Sequence, residues 1–339
     1  MVTDQGRTMQ AVVSFRGLPI GDEDSLVSAE LPLPELRPHD ILVQVQAVSV
    51  NPVDVKRRAG LRDGAGPTVL GYDGAGIVSA VGPAAVRYKV GDEVYYAGDV
   101  TRQGSNAAYQ AVDERIVGRK PTQFSFAQAA AMPLTTITAW ETLFEKFRLT
   151  ATSEGALLVL SGAGGVGSIL TQLAKKLTRL TVIATASREE SRAFARAMGA
   201  DHVVDHHGDL AANVRAVVPD GADYIFSPYS AANLDAFAAI AKPFGEITAI
   251  DGPPGLDLSL LVSKSVSWHW ELMFTRSMYD TPDLIEQQRL LARAADLFDE
   301  GTLSSTLTTT LEGFTPATLR RAHEIVESGH AVGKVVVAR

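Results

Sequence analysis

The stretch that most constrains this chain is Ala156-Leu157-Leu158-Val159-Leu160, followed at once by Ser161-Gly162-Ala163-Gly164-Gly165-Val166-Gly167-Ser168. A continuous apolar run of five reads as a buried strand. The next residues satisfy G-x-G-x-x-G and open a helical segment from Gly167 to Leu177. Strand, glycine turn and helix in that order are the context a dinucleotide-binding loop requires. Gly162 permits the tight turn, Gly164 lets the backbone approach a pyrophosphate, and Gly167 allows close helix–strand packing. Gly165, Val166 and Gly167 then offer backbone N–H groups to phosphate at the positive end of the helix. The alternative is a plain glycine turn, and spacing and context both weigh against it.

The strand after this helix, residues 181–185, runs out at Thr185-Ala186-Ser187-Arg188. NAD-binding folds place Asp or Glu about 20 residues past the loop to hold the ribose hydroxyls. Here Ser187 and Arg188 stand at that point, with Arg192 one helical turn on. A hydroxyl and two guanidinium groups suit a 2′-phosphate, because Arg presents paired donors to anionic oxygens. NADPH is therefore favoured over NADH. Glu189-Glu190 follow directly, so a shift of two residues would restore an acid, and Arg188 and Arg192 can also be read as solvated helix residues.

Around this unit the pattern divides the chain. Residues 41–50 alternate apolar and polar, 75–81 and 90–96 are short β-rich runs, and glycines punctuate the first third; many short strands suggest a barrel or sandwich. From Ser125 the chain is Ala-rich, and 134–147 is amphipathic. Strands at 156–160, 181–185, 202–204, 223–226 and 246–250 alternate with helical segments, which predicts a parallel sheet built from right-handed βαβ units. Phe226 and Ile250 end two of these strands, where ligands bind in such sheets. After Arg276 come a helix over 282–299 with Pro282 in its first turn, a strand at 305–311, a helix from Thr315-Pro316 to Ser328, and a strand over 334–338. The fold class is α/β: a discontinuous β-rich domain, 9–131 and 277–339, around a doubly wound domain, 132–276.

The net charge of −8 argues against a nucleic-acid partner, which needs a basic face. Absence of cysteine removes disulfides, thiolate nucleophiles and cysteine zinc sites together. No run approaches the ~20 apolar residues of a membrane span, and residues 1–8 lack the apolar core of a signal peptide. A soluble cytoplasmic protein with a loose tail before Met9 is expected.

Ordered motifs sharpen this. Asn51-Pro52-Val53-Asp54-Val55-Lys56, Gly71-Tyr72-Asp73-Gly74-Ala75-Gly76, Gly91-Asp92-Glu93-Val94, Thr135-Thr136-Ile137-Thr138-Ala139-Trp140 and the glycine loop together resemble the medium-chain dehydrogenase/reductase superfamily over essentially the whole chain. Within it the quinone oxidoreductase-like and alkenal/enone reductase branch is nearest. Trp268-His269-Trp270-Glu271-Leu272-Met273-Phe274-Thr275-Arg276-Ser277 resembles a subfamily labelled zinc-type alcohol dehydrogenase-like. The resemblance implies a GroES-like catalytic domain, a Rossmann domain, an active site in the cleft between them, and a homodimer. The zinc branch has Cys where this chain has Asn51, and Gly-His-Glu where it has Gly71-Tyr72-Asp73. Its structural zinc uses a four-cysteine lobe, and residues 92–115 contain no cysteine. No metal is expected, and His206-His207 read as solvated loop residues.

The resemblance implies a reductase of quinones or α,β-unsaturated carbonyls, acting on a small electrophile. Lys56 is the first candidate for donor to the developing oxyanion, although it also reads as part of a basic surface run with Arg57 and Arg58. Tyr72 is the second, with pocket lining as its alternative, and Asn51 is a candidate to orient the carbonyl. Thr138 resembles the family's threonine near the nicotinamide phosphates. Two other readings stand beside this one: an alcohol dehydrogenase with an atypical metal site, and a catalytically silent NADPH-binding protein.

Overall fold

The computed structural model describes residues 7–64 and 66–339. The expected tail before Met9 falls mostly on residues 1–6, outside the described residues, and Thr8 is already paired with Pro32 in a sheet. Two compact units divide the chain. One ends at Leu134 and resumes at Phe274, and the other is Thr135–Met273.

The first unit is β-rich. Its strands are β1 (Thr8–Ser14), β2 (Val27–Pro32), β3 (Asp40–Val50), β4 (Thr68–Val69), β5 (Asp73–Val81), β6 (Glu93–Tyr96), β7 (Tyr109–Asp113) and β8 (Val117–Arg119). Helix α1 (Pro52–Ala59) follows β3 directly. Pro52 suits its first position, where a missing N–H costs nothing, and the Asp54 carboxylate accepts the Asn51 N–H at 2.7 Å. Helix α2 (Phe126–Ala130) opens on a reciprocal cap between Ser125 and Gln128. Helix α3 (Pro133–Trp140) begins at the end of this unit.

The second unit continues from α3 into a π-helical turn, Glu141–Lys146. Its strands are β9 (Ala156–Val159), β10 (Thr181–Thr185), β11 (His202–Val204), β12 (Ala222–Ser227), β13 (Ala241–Ala249) and β14 (Ser267–Trp270). Between them lie α4 (Gly165–Leu177), α5 (Glu189–Ala197), α6 (Leu210–Arg215) and α7 (Leu234–Ile240). The sheet is parallel, in the order β11-β10-β9-β12-β13-β14. Strand order therefore reverses beside β9, the point at which doubly wound sheets bind ligands beyond their strand ends. Leu158, Ile183, Ile225, Phe237 and Ile247 fill one face of its core.

The chain then re-enters the first unit with α8 (Thr275–Tyr279), α9 (Ile285–Asp299), β15 (Leu307–Glu312), α10 (Pro316–Glu327) and β16 (Lys334–Ala338). Helix α9 starts three residues later than Pro282 suggests: residues 282–284 form a turn, and Leu284 is the helix's N-terminal cap. Strand β16 pairs antiparallel with β3, and β3 with β5, in a sheet ordered β15-β16-β3-β5-β6-β8. Val335 faces Val50 and Ser49 faces Asp73 in these registers. Residues from both ends of the chain thereby reach one place on the sheet.

Candidate functional site

In the second unit, the glycine loop leaves β9 and enters α4 as the sequence implies, but its glycines act differently. The left-handed residue of the turn is Ser161, at φ 55°, not Gly162. Gly162 is needed because a Cβ there would lie 2.4 Å from the Ala184 Cβ on the adjoining strand. A Cβ on Gly167 would come within 2.3 Å of the Ser161 carbonyl oxygen, so α4 packs down on its own loop. Gly164 caps α4 and offers no side chain to the first N–H groups of the helix. Those of Gly165, Val166 and Gly167 are the ones an α-helix leaves without an intrahelical partner. A phosphate fits an N-terminus of this kind.

Thr185, which sequence reasoning passed over, holds the loop in place. Its Oγ1 accepts the Ser161 N–H at 2.9 Å, and its carbonyl accepts the Gly162 N–H at 3.0 Å. Beyond it, Ser187 is partly exposed, Arg188 is exposed as the N-cap of α5, and Glu189 and Glu190 lie within the first turn of that helix. Arg192 turns inward: its guanidinium donates to the carbonyls of Ala186 at 3.1 Å and Val203 at 3.2 Å. Phe226 is buried at the end of β12, and Leu160 donates to its carbonyl at 3.0 Å. Ile250 follows β13 and donates to Ser227 O at 3.0 Å, while Asp251 is taken up by the N–H and hydroxyl of Ser230. Thr138 is buried on α3.

In the first unit, Asn51, Asp54, Asp73 and Lys334 form one buried cluster. Asn51 Nδ2 donates to Asp73 Oδ2 at 2.7 Å and to Ser49 O at 3.4 Å, and Asn51 Oδ1 accepts from the Lys334 ammonium. Lys334 Nζ also donates to Asp73 Oδ2 at 3.1 Å. Asp73 Oδ1 accepts the Leu134 N–H at 2.8 Å. Asp54 accepts the N–H groups of Asn51 and Gly71. Gly71 must be glycine on two counts: its φ is 100°, and a Cβ would strike Ser105 Oγ at 2.5 Å. Burial pushes the Asp54 carboxyl up to about 7, and the same desolvation raises that of Asp73 against the pull of Lys334. Both amide protons of Asn51 are thus committed inside the protein.

Tyr72 is buried against Phe274, edge to face at 5.5 Å, with the Arg57 guanidinium over its ring. Burial pushes its phenol up to about 12, so the hydroxyl stays protonated at neutral pH. Lys56 is exposed on α1 and forms no ion pair among the described residues. The basic run it opens is not all surface, since Arg58 is buried and paired with Glu327 at 2.8 Å. Lys334 was not singled out from the sequence. The available signal was a lone charge at the head of the apolar run Val335-Val336-Val337.

Two family models match the chain: the alcohol dehydrogenase GroES-like domain over residues 37–140, and zinc-binding dehydrogenase over 198–337. A zinc-type alcohol dehydrogenase-like protein of Staphylococcus aureus (strain MSSA476) is 42% identical over 307 residues, spanning 88% of this chain and 90% of that protein. The chain belongs to the medium-chain dehydrogenase/reductase superfamily, in its zinc-type alcohol dehydrogenase-like subfamily. A solved structure from Rhizobium etli CFN 42, assigned by name as a zinc-dependent alcohol dehydrogenase, superposes with a TM-score of 0.94 at 47% identity over 98% of both chains. The NADPH-dependent alkenal/one oxidoreductase of Arabidopsis thaliana is 38% identical over 242 residues, 68% of this chain and 60% of that protein. This is an oxidoreductase family, and the β-rich unit and the parallel sheet are its GroES-like and Rossmann domains.

The subfamily name implies zinc, and the residues here do not fit one. Zinc takes thiolate, imidazole or carboxylate donors with free lone pairs converging tetrahedrally. Asn51 supplies a neutral amide whose oxygen faces an ammonium. Tyr72 supplies a protonated phenol, and Asp73 already accepts three hydrogen bonds. Among the described residues, Asp205, His206 and His207 do lie close enough to share an ion. They are consecutive residues on a largely exposed loop of the second unit.

Proposed function

We propose that this chain is an NADPH-dependent, zinc-independent reductase of quinones or α,β-unsaturated carbonyls. The observation that carries the reading is the hydrogen-bond-saturated Asn51–Asp73–Lys334 cluster, which leaves no donor set for a Lewis acid. Reduction of a simple ketone is harder without a Lewis acid to polarise the carbonyl. A conjugated acceptor spreads incoming charge through its own π-system, so one well-placed donor suffices.

The bound cofactor supplies the hydride; the protein must bind it and steady the charge that forms on the acceptor. The N-terminus of α4 holds the pyrophosphate through the N–H groups of Gly165, Val166 and Gly167. Gly162 and Gly164 keep the loop low, and Thr138, Phe226 and Ile250 are assigned to the cofactor's remaining contacts. Ser187 and Arg188 receive the 2′-phosphate. The exposed Arg188 and the absence of an acid at the strand end support this choice, as does the NADPH dependence in the name of the Arabidopsis relative. Arg192 contributes by fixing the strand ends through Ala186 and Val203.

Lys56 is the proposed oxyanion donor, its ammonium in no ion pair among the described residues and able to stabilise an enolate as charge develops. Tyr72 lines the pocket and is the second donor. Asn51 positions the cluster beneath. The exposed edge strand β14, with Trp270 and the following Leu272 half exposed, is the proposed homodimer contact. No described helix is long and apolar enough to cross a membrane.

The test is oxidation of NADPH and of NADH against a panel of quinones, alkenals, enones, aldehydes and simple ketones, with zinc measured in the same preparation. Turnover of conjugated acceptors with NADPH by protein free of zinc is the expected result. Stoichiometric zinc with NADP-dependent alcohol oxidation would instead establish an alcohol dehydrogenase. Tight NADPH binding without turnover would mean a silent binding protein.

A further inference from the structure

We propose that Lys334 is the resident cation of the Asn51–Asp73 cluster: its ammonium takes the place and charge of a metal ion and closes the cluster to divalent metals. The inference rests on the metal-independent part of the function proposed above, and concerns how that independence is built.

The register of the sheet makes the arrangement. Val335 is paired with Val50, so Lys334 stands beside Asn51 where β3 gives way to α1, and Ser49 is paired with Asp73 on the other side. Strands β16 and β5, and the residue just past β3, therefore contribute an ammonium, a carboxylate and an amide to one buried point. Lys334 is 3% exposed, and its Nζ donates to Asn51 Oδ1 and to Asp73 Oδ2. These two oxygens are the acceptors that a cation at this point would use. The third donor to Asp73, the Leu134 N–H, comes from the second residue of α3. Asp73 thus ties together β16, the start of α1 and the start of α3, and the ammonium is what balances its buried charge.

Stability alone is a poor explanation for such a group. A buried ion pair is often no more stabilising than well-packed apolar side chains in its place, whereas removing one partner leaves a charge uncompensated. What the ammonium supplies is geometry. It orders the Asn51 amide, leaving its oxygen toward Lys334 and its nitrogen toward Asp73, and holds the Gly71-Tyr72-Asp73 turn. Lys334 is accordingly a positioning residue. A protonated amine cannot ligate zinc, and a divalent ion here would meet a like charge at contact distance.

Two sets of variants test this. The first installs a thiolate, an imidazole and a carboxylate together, Asn51→Cys, Tyr72→His and Asp73→Glu, once with Lys334 kept and once with Lys334→Met, and reads bound zinc by elemental analysis after dialysis. Stoichiometric zinc only when Lys334 is removed, with affinity roughly 10–100-fold tighter than with Lys334 kept, is the expected result. Equal zinc in both would overturn the inference. The second set covers failure of the first to fold: Lys334→Met, Asp73→Asn and the double variant, compared by thermal melting and steady-state kinetics. The double variant should recover most of the melting temperature lost by either single one. Lys334→Met should lose kcat by roughly tenfold or more with KM little changed, and Lys334→Arg should restore part of it. Additive losses, or a fall in melting temperature with kcat intact, would reduce Lys334 to packing. Zinc in the unaltered protein is a separate outcome: it would refute the proposed function, whatever these variants do.

Discussion

The glycine loop and the Lys334 cluster are proposed to hold charge by opposite means. The loop draws on one short run of chain, from Ala156 to Arg192, and its donors are backbone N–H groups that any sequence of the right shape could offer. The cluster joins residues 283 positions apart, from Asn51 to Lys334, and is centred on side chains that bond one another and nearby backbone groups. The loop presents a helix end with no side-chain cap, as the proposed phosphate contact requires. The cluster is already saturated, each acceptor facing a donor supplied by the fold. An open site advertises what it binds; a closed one shows what it refuses.

The sharpest way to break this contrast is to block the open half. Gly167→Val places branched carbon against the Ser161 carbonyl and Gly162 Cα, at distances no Cβ tolerates. NADPH affinity should fall at least about 100-fold, with a loss of stability of roughly 1–3 kcal/mol from overpacking, measured by fluorescence titration and thermal melting. Retained affinity would remove the loop from the cofactor site. Next in size is Lys56→Met. Loss of a donor to a developing oxyanion costs on the order of 100-fold in kcat, and NADPH binding should move little. If turnover is unchanged, the donor role passes to Tyr72 or water, and Tyr72→Phe then becomes the decisive variant.

The same contrast explains what was legible in the sequence. Strand, loop and helix at 156–177 are local, and their periodicity and glycine spacing carried over into β9 and α4. Strand β16 was readable too, from its run of valines. The role of each glycine was not, because it depends on what lies across the sheet: Ala184 explains Gly162, and only the fold brings the two together. Thr185 escaped notice for the same reason. Pro282 misled, because a proline suits a turn ahead of a helix as well as a first helical position. Lys334 was invisible as a cluster member because nothing in its local sequence points toward Asn51. Pairing of β16 with β3 supplies that information.

A smaller effect separates the two arginines that the sequence grouped together. Arg188 is exposed at the start of α5, whereas the fork of Arg192 is spent on Ala186 O and Val203 O. Arg188→Ala should weaken NADPH roughly tenfold, in line with loss of one charge-assisted hydrogen bond, while NADH is unaffected. Arg192→Ala should lower the melting temperature and weaken both cofactors alike. Dissociation constants for NADPH and NADH with each variant decide it. Equal losses for Arg188→Ala would place the 2′-phosphate elsewhere.

The mildest effect lies on the closed side and depends on pH. Burial raises the Asp54 carboxyl to about 7 in the folded protein, against an ordinary value near 4 when unfolded. Between those values the folded chain holds a proton there that the unfolded chain has released. Folding is therefore favoured by low pH across this window, and stability from this group declines as pH rises through 7, levelling off above it. Asp54→Asn is uncharged throughout and keeps one acceptor for the N–H groups of Asn51 and Gly71. The wild type should lose stability relative to this variant as pH goes from 5 to 7, on the order of 1 kcal/mol per pH unit at most. Melting temperatures of both proteins across pH 5–8 measure the difference. A gap that stays constant would mean Asp54 is ionised throughout. Lys334 would then balance two carboxylates rather than one, and the cluster would be less closed than its hydrogen bonds suggest.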